Sequence, residues 1–263
     1  MKVHRFFIKN DLLNYKKYDE FTLDEVNNKE QLHQIIKVLR LKKSEQISIF
    51  NELAECLTEI LEIIDDKKHM SVRLIIKDIT IVNQNIEQDQ INLFMSFIKK
   101  NNFELIVEKC VELGVHSVIA IVSMRTEKEN VLALSSDTAR VRLGKIIIEA
   151  TEQCGRRKLM QYKPDSTSTS LLPIKKEATQ HVLNIFAHIG AKENINQVIS
   201  TFKNKIEAQI EPLIINIYIG PEGGWHESEI DKMIQADFCP ISLGSFVLRA
   251  ETAAIVAIAQ AEA

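Results

Sequence analysis

Two short stretches near the C-terminal end of the chain carry residue types that can hold a ligand and handle a proton. The first is INIYIGPEGGWHESEIDKM, an apolar run that ends at Ile219 and is followed by Gly220, Pro221, Glu222, Gly223 and Gly224 before a helix begins. Glycines at a strand's carboxyl end let backbone N–H and C=O groups approach a ligand with no Cβ in the way, and ligands gather at that edge of parallel sheets. Taken alone, GPEGG fits a tight strand-to-helix turn equally well. It matches neither GxGxxG nor a Walker loop, which argues against a nucleoside triphosphate. The second stretch is ISLGSFVLRAETAAIVAIAQ, in which a short strand ends at Gly244 and an irregular loop leads to Arg249 and Glu251 before an apolar helix. Thr252 is a possible cap for that helix. Capping leaves Arg249 beside Glu251 unexplained, and a buried ion pair between two glycine-containing loops is costly unless it organises a site.

These loops need strands and helices to position them. FELIVEKCVELGV reads as an amphipathic helix closed by Gly114, SVIAIVS as a buried strand, and RLGKIIIEATEQCG as a second helix closed by Gly155. HVLNIFAHIG and PLIINIYIG repeat the strand signal, and EIDKMIQADF and AAIVAIAQA supply helices after them. Strands alternating with helices predict an α/β domain with a mostly parallel sheet. The first 75 residues differ. Short strand-like runs (HRFFI, EQISIF, CLTEILEII, VRLIIKDITIV) surround one helix over 30–39, which suits a small β-rich domain. A polar stretch, NQNIEQDQ, marks the expected boundary near residues 80–92.

Charge and composition narrow the partners. With 45% apolar and 26% charged residues, the chain has enough of both for a sizeable core, so disorder is excluded. Its opening residues lack a cleavage site, and no window approaches the ~20 apolar residues of a membrane span, so a cytoplasmic protein without a membrane partner is expected. Cys56, Cys110, Cys154 and Cys239 lie far apart, and neither a disulfide framework nor a metal site is expected. The net charge of −3 hides an uneven distribution: residues 96–165 carry 12 basic and 9 acidic groups, residues 166–263 carry 7 and 11. A polyanion should therefore meet the first two-thirds of the chain. Lys37, Arg40, Lys42 and Lys43 cluster in HQIIKVLRLKK beside Ile36 and Leu39, either as a solvated helix flank or as part of such a surface.

IGPEGG followed from Leu243 by LGSFVLRAETA resembles the cofactor-binding end of the SPOUT methyltransferases, and of the RsmE family in particular. HRFFI (4–8), HQIIKVLRLKKSEQISIF (33–50), ELIVEKCVELGV (104–115) and KIIIEATEQCGRR (145–157) resemble the same family, so the likeness spans nearly the whole chain. It implies an N-terminal β-rich PUA-like RNA-binding domain (1–75) and a C-terminal SPOUT α/β domain (76–263) with a deep trefoil knot, a feature otherwise nearly absent from proteins. It also implies an obligate homodimer with no metal, and S-adenosylmethionine (SAM) as cofactor, bound in the knot near the subunit interface. The implied substrate is a uridine of 16S rRNA in the small ribosomal subunit, at the position usually numbered 1498, methylated on ring nitrogen 3. The cofactor site would comprise Ile219, Gly220, Pro221, Glu222, Gly223, Gly224, Leu243, Gly244, Val247, Leu248 and Arg249, and the RNA contacts Arg5, Lys37, Arg40, Arg125, Arg142, Gln153 and Arg156. Three positions depart from the family pattern: Phe246 where an arginine is common, Asn102 where a basic residue is common, and His226 where Ser or Thr opens the helix.

Methyl transfer from a sulfonium is an in-line displacement, so the protein must align donor and acceptor. Uracil's ring nitrogen carries a proton at neutral pH, which calls for a base or for stabilisation of the developing anion. Arg249 suits the second task, and either Glu222 or Glu251 the first. Three other functions are compatible with parts of the pattern. They are a SPOUT enzyme with another RNA target, a catalytically weak RNA-binding or ribosome-assembly protein, and an unrelated nucleotide-binding α/β enzyme, which the pair of motifs disfavours.

Overall fold

The computed structural model describes residues 3–66, 69–82, 89–164, 181–205 and 212–262. The chain divides into two compact units, Met1–Ile86 with Thr151–Leu159, and Glu87–Ala150 with Met160–Ala263.

The first unit is built on β1 (His4–Phe7), β2 (Glu20–Asp24), α1 (Glu25–His33), β3 (Gln46–Phe50), β4 (Ala54–Asp65) and β5 (Met70–Ile81). The strands form one sheet in the order β1-β3-β4-β5-β2. Only β1 and β3 run parallel; the other pairs are antiparallel. Alternation along β4 buries Ala54, Cys56, Thr58 and Ile60, which join Phe6, Ile47, Ile49, Val72, Leu74 and Ile76 in the buried interior. The helix expected over 30–39 is present as the second part of a kinked α1, because the backbone at Asn28 (φ −133°, ψ 32°) is non-helical and separates it from an earlier turn. Asp24 accepts hydrogen bonds from the backbone N–H of Val26 and Asn27, fixing the start at Glu25, and a π-helical stretch, Gln34–Val38, replaces the expected last turn. β5 continues past residue 75 to Ile81, and residues 83–88 of the expected boundary lie outside the described residues.

In the second unit the order is β6 (Gln90–Ser96), α2 (Lys100–Glu112), β7 (Ser117–Ile121), α3 (Lys128–Ser135), α4 (Asp137–Cys154), β8 (Gln161–Pro164), β9 (Val182–Ala187), α5 (Ile195–Lys205), β10 (Ile214–Ile219), α6 (Glu227–Gln235), β11 (Cys239–Ile241) and α7 (Ala250–Glu262). The last residues of α4 are counted with the first unit. Six strands make a wholly parallel sheet, β11-β9-β10-β6-β7-β8. This is the expected α/β architecture, with β6, β8, α3 and α5 added to the elements expected from the sequence. One face of the sheet sends Ile121, Phe186 and Tyr218 against Trp225, Met233 and Phe238 of the α6 region. On α7, Ala250, Ala254 and Ala257 are buried, and these small side chains let the helix lie close on β6 and β10. Because all strands are parallel, their carboxyl ends share one edge, and β9, β10 and β11 deliver three loops there. Among the described residues no helix is long and apolar enough to cross a membrane.

Candidate functional site

Those three loops enclose a cavity of ≈ 700 Å³, within the usual size range of small-molecule sites. Every residue that the sequence nominated for cofactor binding lines it, and so does Glu251. The mixture is right for an amphipathic ligand: Ile219, Ile241, Leu243 and Leu248 offer apolar surface, and the glycine loops offer backbone donors and acceptors.

The glycines have distinct roles. A Cβ on Gly220 would meet the Trp225 ring at 3.1 and 3.2 Å, so this position must stay bare for the indole to pack. Gly224 and Gly244 have φ of +68° and +135°, values that side-chain-bearing residues rarely adopt, and both face open space. Trp225 anchors the loop from beneath. It is buried among Phe186, Tyr218 and Phe238, and its Nε1 donates to the carbonyl of Ala187 at the end of β9, at 3.1 Å.

His226 begins α6 and performs the capping that Ser or Thr would provide. Its Nδ1 accepts from the Ser228 backbone N–H at 3.2 Å, and the Glu229 carboxylate accepts from the His226 N–H at 2.8 Å. Glu229, though buried, also accepts from the Met124 N–H at 2.8 Å, tying the loop after β7 to this helix. Arg125 completes the brace by donating to the Gly223 carbonyl at 2.8 Å.

The charged groups differ in setting. Glu222 is exposed at the mouth, where it accepts a long hydrogen bond, 3.4 Å, from the Lys99 backbone N–H. Glu251 is buried in the first turn of α7. Arg249 is exposed just before that turn and has no side-chain partner among the described residues. The ion pair expected between Arg249 and Glu251 is therefore absent. Residues two apart at a helix start project to different sides, so the pair cannot close even though both line the cavity.

The candidate RNA contacts divide between the units. Arg125 stands beside the cavity, and Arg142 on α4 donates to Glu104 at 3.4 Å. In the first unit Lys37 pairs with Asp65 at 2.6 Å, while Arg40 and Gln153 are exposed and Arg156 is half-buried. Arg5 departs from its expected role. Its guanidinium grips Glu55 through Nε and Nη2 (2.8 and 3.2 Å), donates to the carbonyls of Thr151 and Arg156, and lies over the Phe50 ring, so it is occupied inside the fold. Burial pushes the Glu55 carboxyl up, but hydrogen bonds from Arg5 and Ser48 and the charges of Arg5 and Arg157 outweigh it and hold the group below its ordinary value. Among the described residues no three His, Cys, Asp or Glu side chains gather as metal ligands would.

Lys99, His188, Ile189 and Trp225 also line the cavity and escaped the sequence analysis. HVLNIFAHIG held a signal for two of them, since residues just past a parallel strand's carboxyl end are where ligands collect. Lys99 was hidden because the strand before it, β6, was not recognised.

A parallel sheet with its cavity on the carboxyl edge narrows the protein to a class, and residues 85–262 match the family described as the RNA methyltransferase domain. The chain is 32% identical over 235 residues to the ribosomal RNA small subunit methyltransferase E of Buchnera aphidicola subsp. Schizaphis graminum, covering 88% of this chain and 87% of that one. It is 29% identical over 262 residues to the protein of the same name from Rickettsia conorii, covering 99% and 95%. Among solved structures, the fold is shared with a methyltransferase from Legionella pneumophila in complex with the cofactor SAM (TM-score 0.73, 24% identity, 100% of this chain and 98% of that one). It is shared too with the ribosomal RNA small subunit methyltransferase E of Neisseria gonorrhoeae bound to SAM (TM-score 0.70, 21% identity, 98% and 96%). The chain belongs to the RNA methyltransferase domain family and, within it, to the RsmE family.

Proposed function

We propose that this protein uses SAM to methylate ring nitrogen 3 of a uridine in 16S rRNA, at the position usually numbered 1498 of the small ribosomal subunit. The observation that carries the proposal is the convergence of the GPEGG loop and the LGSFVLR loop on one cavity, with Arg249, Glu222 and Glu251 on its wall. The fit to the cofactor rests on the open space at Gly224 and Gly244 and on the apolar walls between exposed backbone groups. Ile219, Gly220, Pro221, Gly223, Gly224, Leu243, Gly244, Val247 and Leu248 would hold the adenosine and methionine parts. When bound, SAM supplies an electrophilic methyl group on a sulfonium.

The chain's own residues would do the rest. Arg249, exposed and without a counter-ion among the described residues, offers its full charge to the uracil oxygens as the ring nitrogen loses its proton. One of the two carboxylates, Glu222 or Glu251, accepts that proton. The first unit is proposed to be a PUA-like RNA-binding domain, a role that suits its exposed Arg40, Lys42 and Lys43. The second is proposed to be a SPOUT domain with a trefoil knot. A homodimer, with the knot region buried against a second copy, completes the proposal.

Titration calorimetry with SAM and S-adenosylhomocysteine tests the cavity assignment. The expected result is saturable binding that is weakened by Gly244→Val, whose side chain would enter the open space and strain a φ of +135°. No binding by a folded sample would refute it.

A further inference from the structure

Phe246 is 85% exposed and Val247 74% exposed, yet both belong to the loop that lines the cavity. A single exposed apolar side chain is ordinary, but Phe246, Val247 and the 80% exposed Ile189 line the same cavity, and apolar surface grouped in this way marks a binding surface. Four charged side chains accompany it on the cavity lining: Lys99, Arg249, Glu222 and Glu251. Glu251 is buried, whereas Lys99 and Arg249 are exposed and neither side chain has a partner among the described residues. Glu222 is exposed too and accepts from the Lys99 backbone N–H. An exposed aromatic ring sharing one lining with two exposed cations is a composition that binds unstacked nucleotides, the ring taking the base face and the cations the phosphates.

We propose that Phe246 is the platform on which a nucleobase of the RNA substrate stacks at the mouth of the cavity, a role that rests on the RNA methyltransferase function proposed above. Phe246 is thus a positioning residue for substrate, with no part in the proton or methyl chemistry. Val247 and Ile189, also exposed on the lining, would extend the apolar rim beside it.

The test uses the full chain, radiolabelled SAM and small ribosomal subunits prepared without the modification. It compares wild type with Phe246→Ala, Phe246→Leu, Phe246→Tyr and Phe246→Trp. Stacking on an aromatic side chain contributes enough that Phe246→Ala should raise KM for the subunit on the order of tenfold. kcat at saturation should change far less, and the calorimetric Kd for SAM should not move. Phe246→Leu should behave like the alanine variant, and Phe246→Tyr and Phe246→Trp should restore KM. A leucine variant equal to wild type would show that apolar bulk suffices and overturn the platform, as would an alanine variant with unchanged KM. A drop in sedimentation mass for Phe246→Ala would overturn it too, placing the ring in a protein interface. Wild type that methylates normally beside a flat variant series refutes the platform alone; wild type that neither binds SAM nor transfers methyl refutes the proposed function together with it.

Discussion

Replacing Gly220 by alanine should push the buried indole of Trp225 out of place. The added Cβ would stand 3.1 Å from Trp225 Cε2 and 3.2 Å from Cδ2, tighter than ordinary contact. The ring cannot slide freely, because it is enclosed by Phe186, Tyr218, Met233 and Phe238 and held by its Nε1 bond to Ala187. Overpacking of a dense core costs about 1–3 kcal/mol, which for a unit of this size lowers Tm by roughly 2–12 °C. Gly144 is the control. It lies inside α4 with nothing within 4 Å of a built Cβ, so Gly144→Ala should raise stability by about 0.5–1 kcal/mol. A double-mutant cycle makes the cause specific. Trp225→Ala removes the whole ring that collides, so the pair Gly220→Ala with Trp225→Ala should lose less than the sum of the two single losses. Calorimetric melting of the four proteins is the assay. A strictly additive cycle, or Gly220→Ala melting within about 1 °C of wild type, would refute the steric account.

Arg249→Ala should cut turnover on the order of a hundredfold or more while leaving Tm and SAM affinity near wild type, since the side chain has no partner among the described residues whose loss could unsettle the fold. Parallel loss of melting temperature and SAM binding in that variant would instead assign Arg249 a structural role. Glu55→Gln should destabilise the first unit by about 1–3 kcal/mol at neutral pH, because Arg5 loses its carboxylate inside the fold. The folded value of Glu55 lies below its ordinary 4.5, so this advantage of wild type is complete above that pH and fades as pH falls through the folded value; a gap unchanged in strong acid would contradict the assignment.

Long, strongly patterned segments made the α/β class legible in the amino-acid sequence. HVLNIFAHIG and PLIINIYIG are β-branched runs ending at glycine, and they form β9 and β10 side by side. Elements with mixed patterns stayed hidden. Gln161–Pro164 has no apolar run and is a strand only because it pairs with β7, and Ile195–Lys205 carries polar residues among its buried Ile195, Val198 and Ile199. Local chemistry explains the extra turn ahead of the expected helix in the first unit, where Asp24 captures two backbone N–H groups before the kink at Asn28. The loops of the site could be picked out because glycine at a strand end has a physical meaning. The partners of individual arginines could not. Arg5 is held by Glu55, Thr151 and Arg156, residues far away in sequence, and the Arg249–Glu251 pair that adjacency suggested is defeated by the geometry of a helix start.

The most direct test of the proposed activity is to incubate the purified protein with SAM and unmodified small ribosomal subunits, then map methylation of the rRNA by mass spectrometry. The expected result is one added methyl group on ring nitrogen 3 of the uridine usually numbered 1498, abolished when SAM is omitted. A methyl group on a different nucleotide or on a ribose hydroxyl, or no methyl group from a folded and SAM-binding protein, would contradict it.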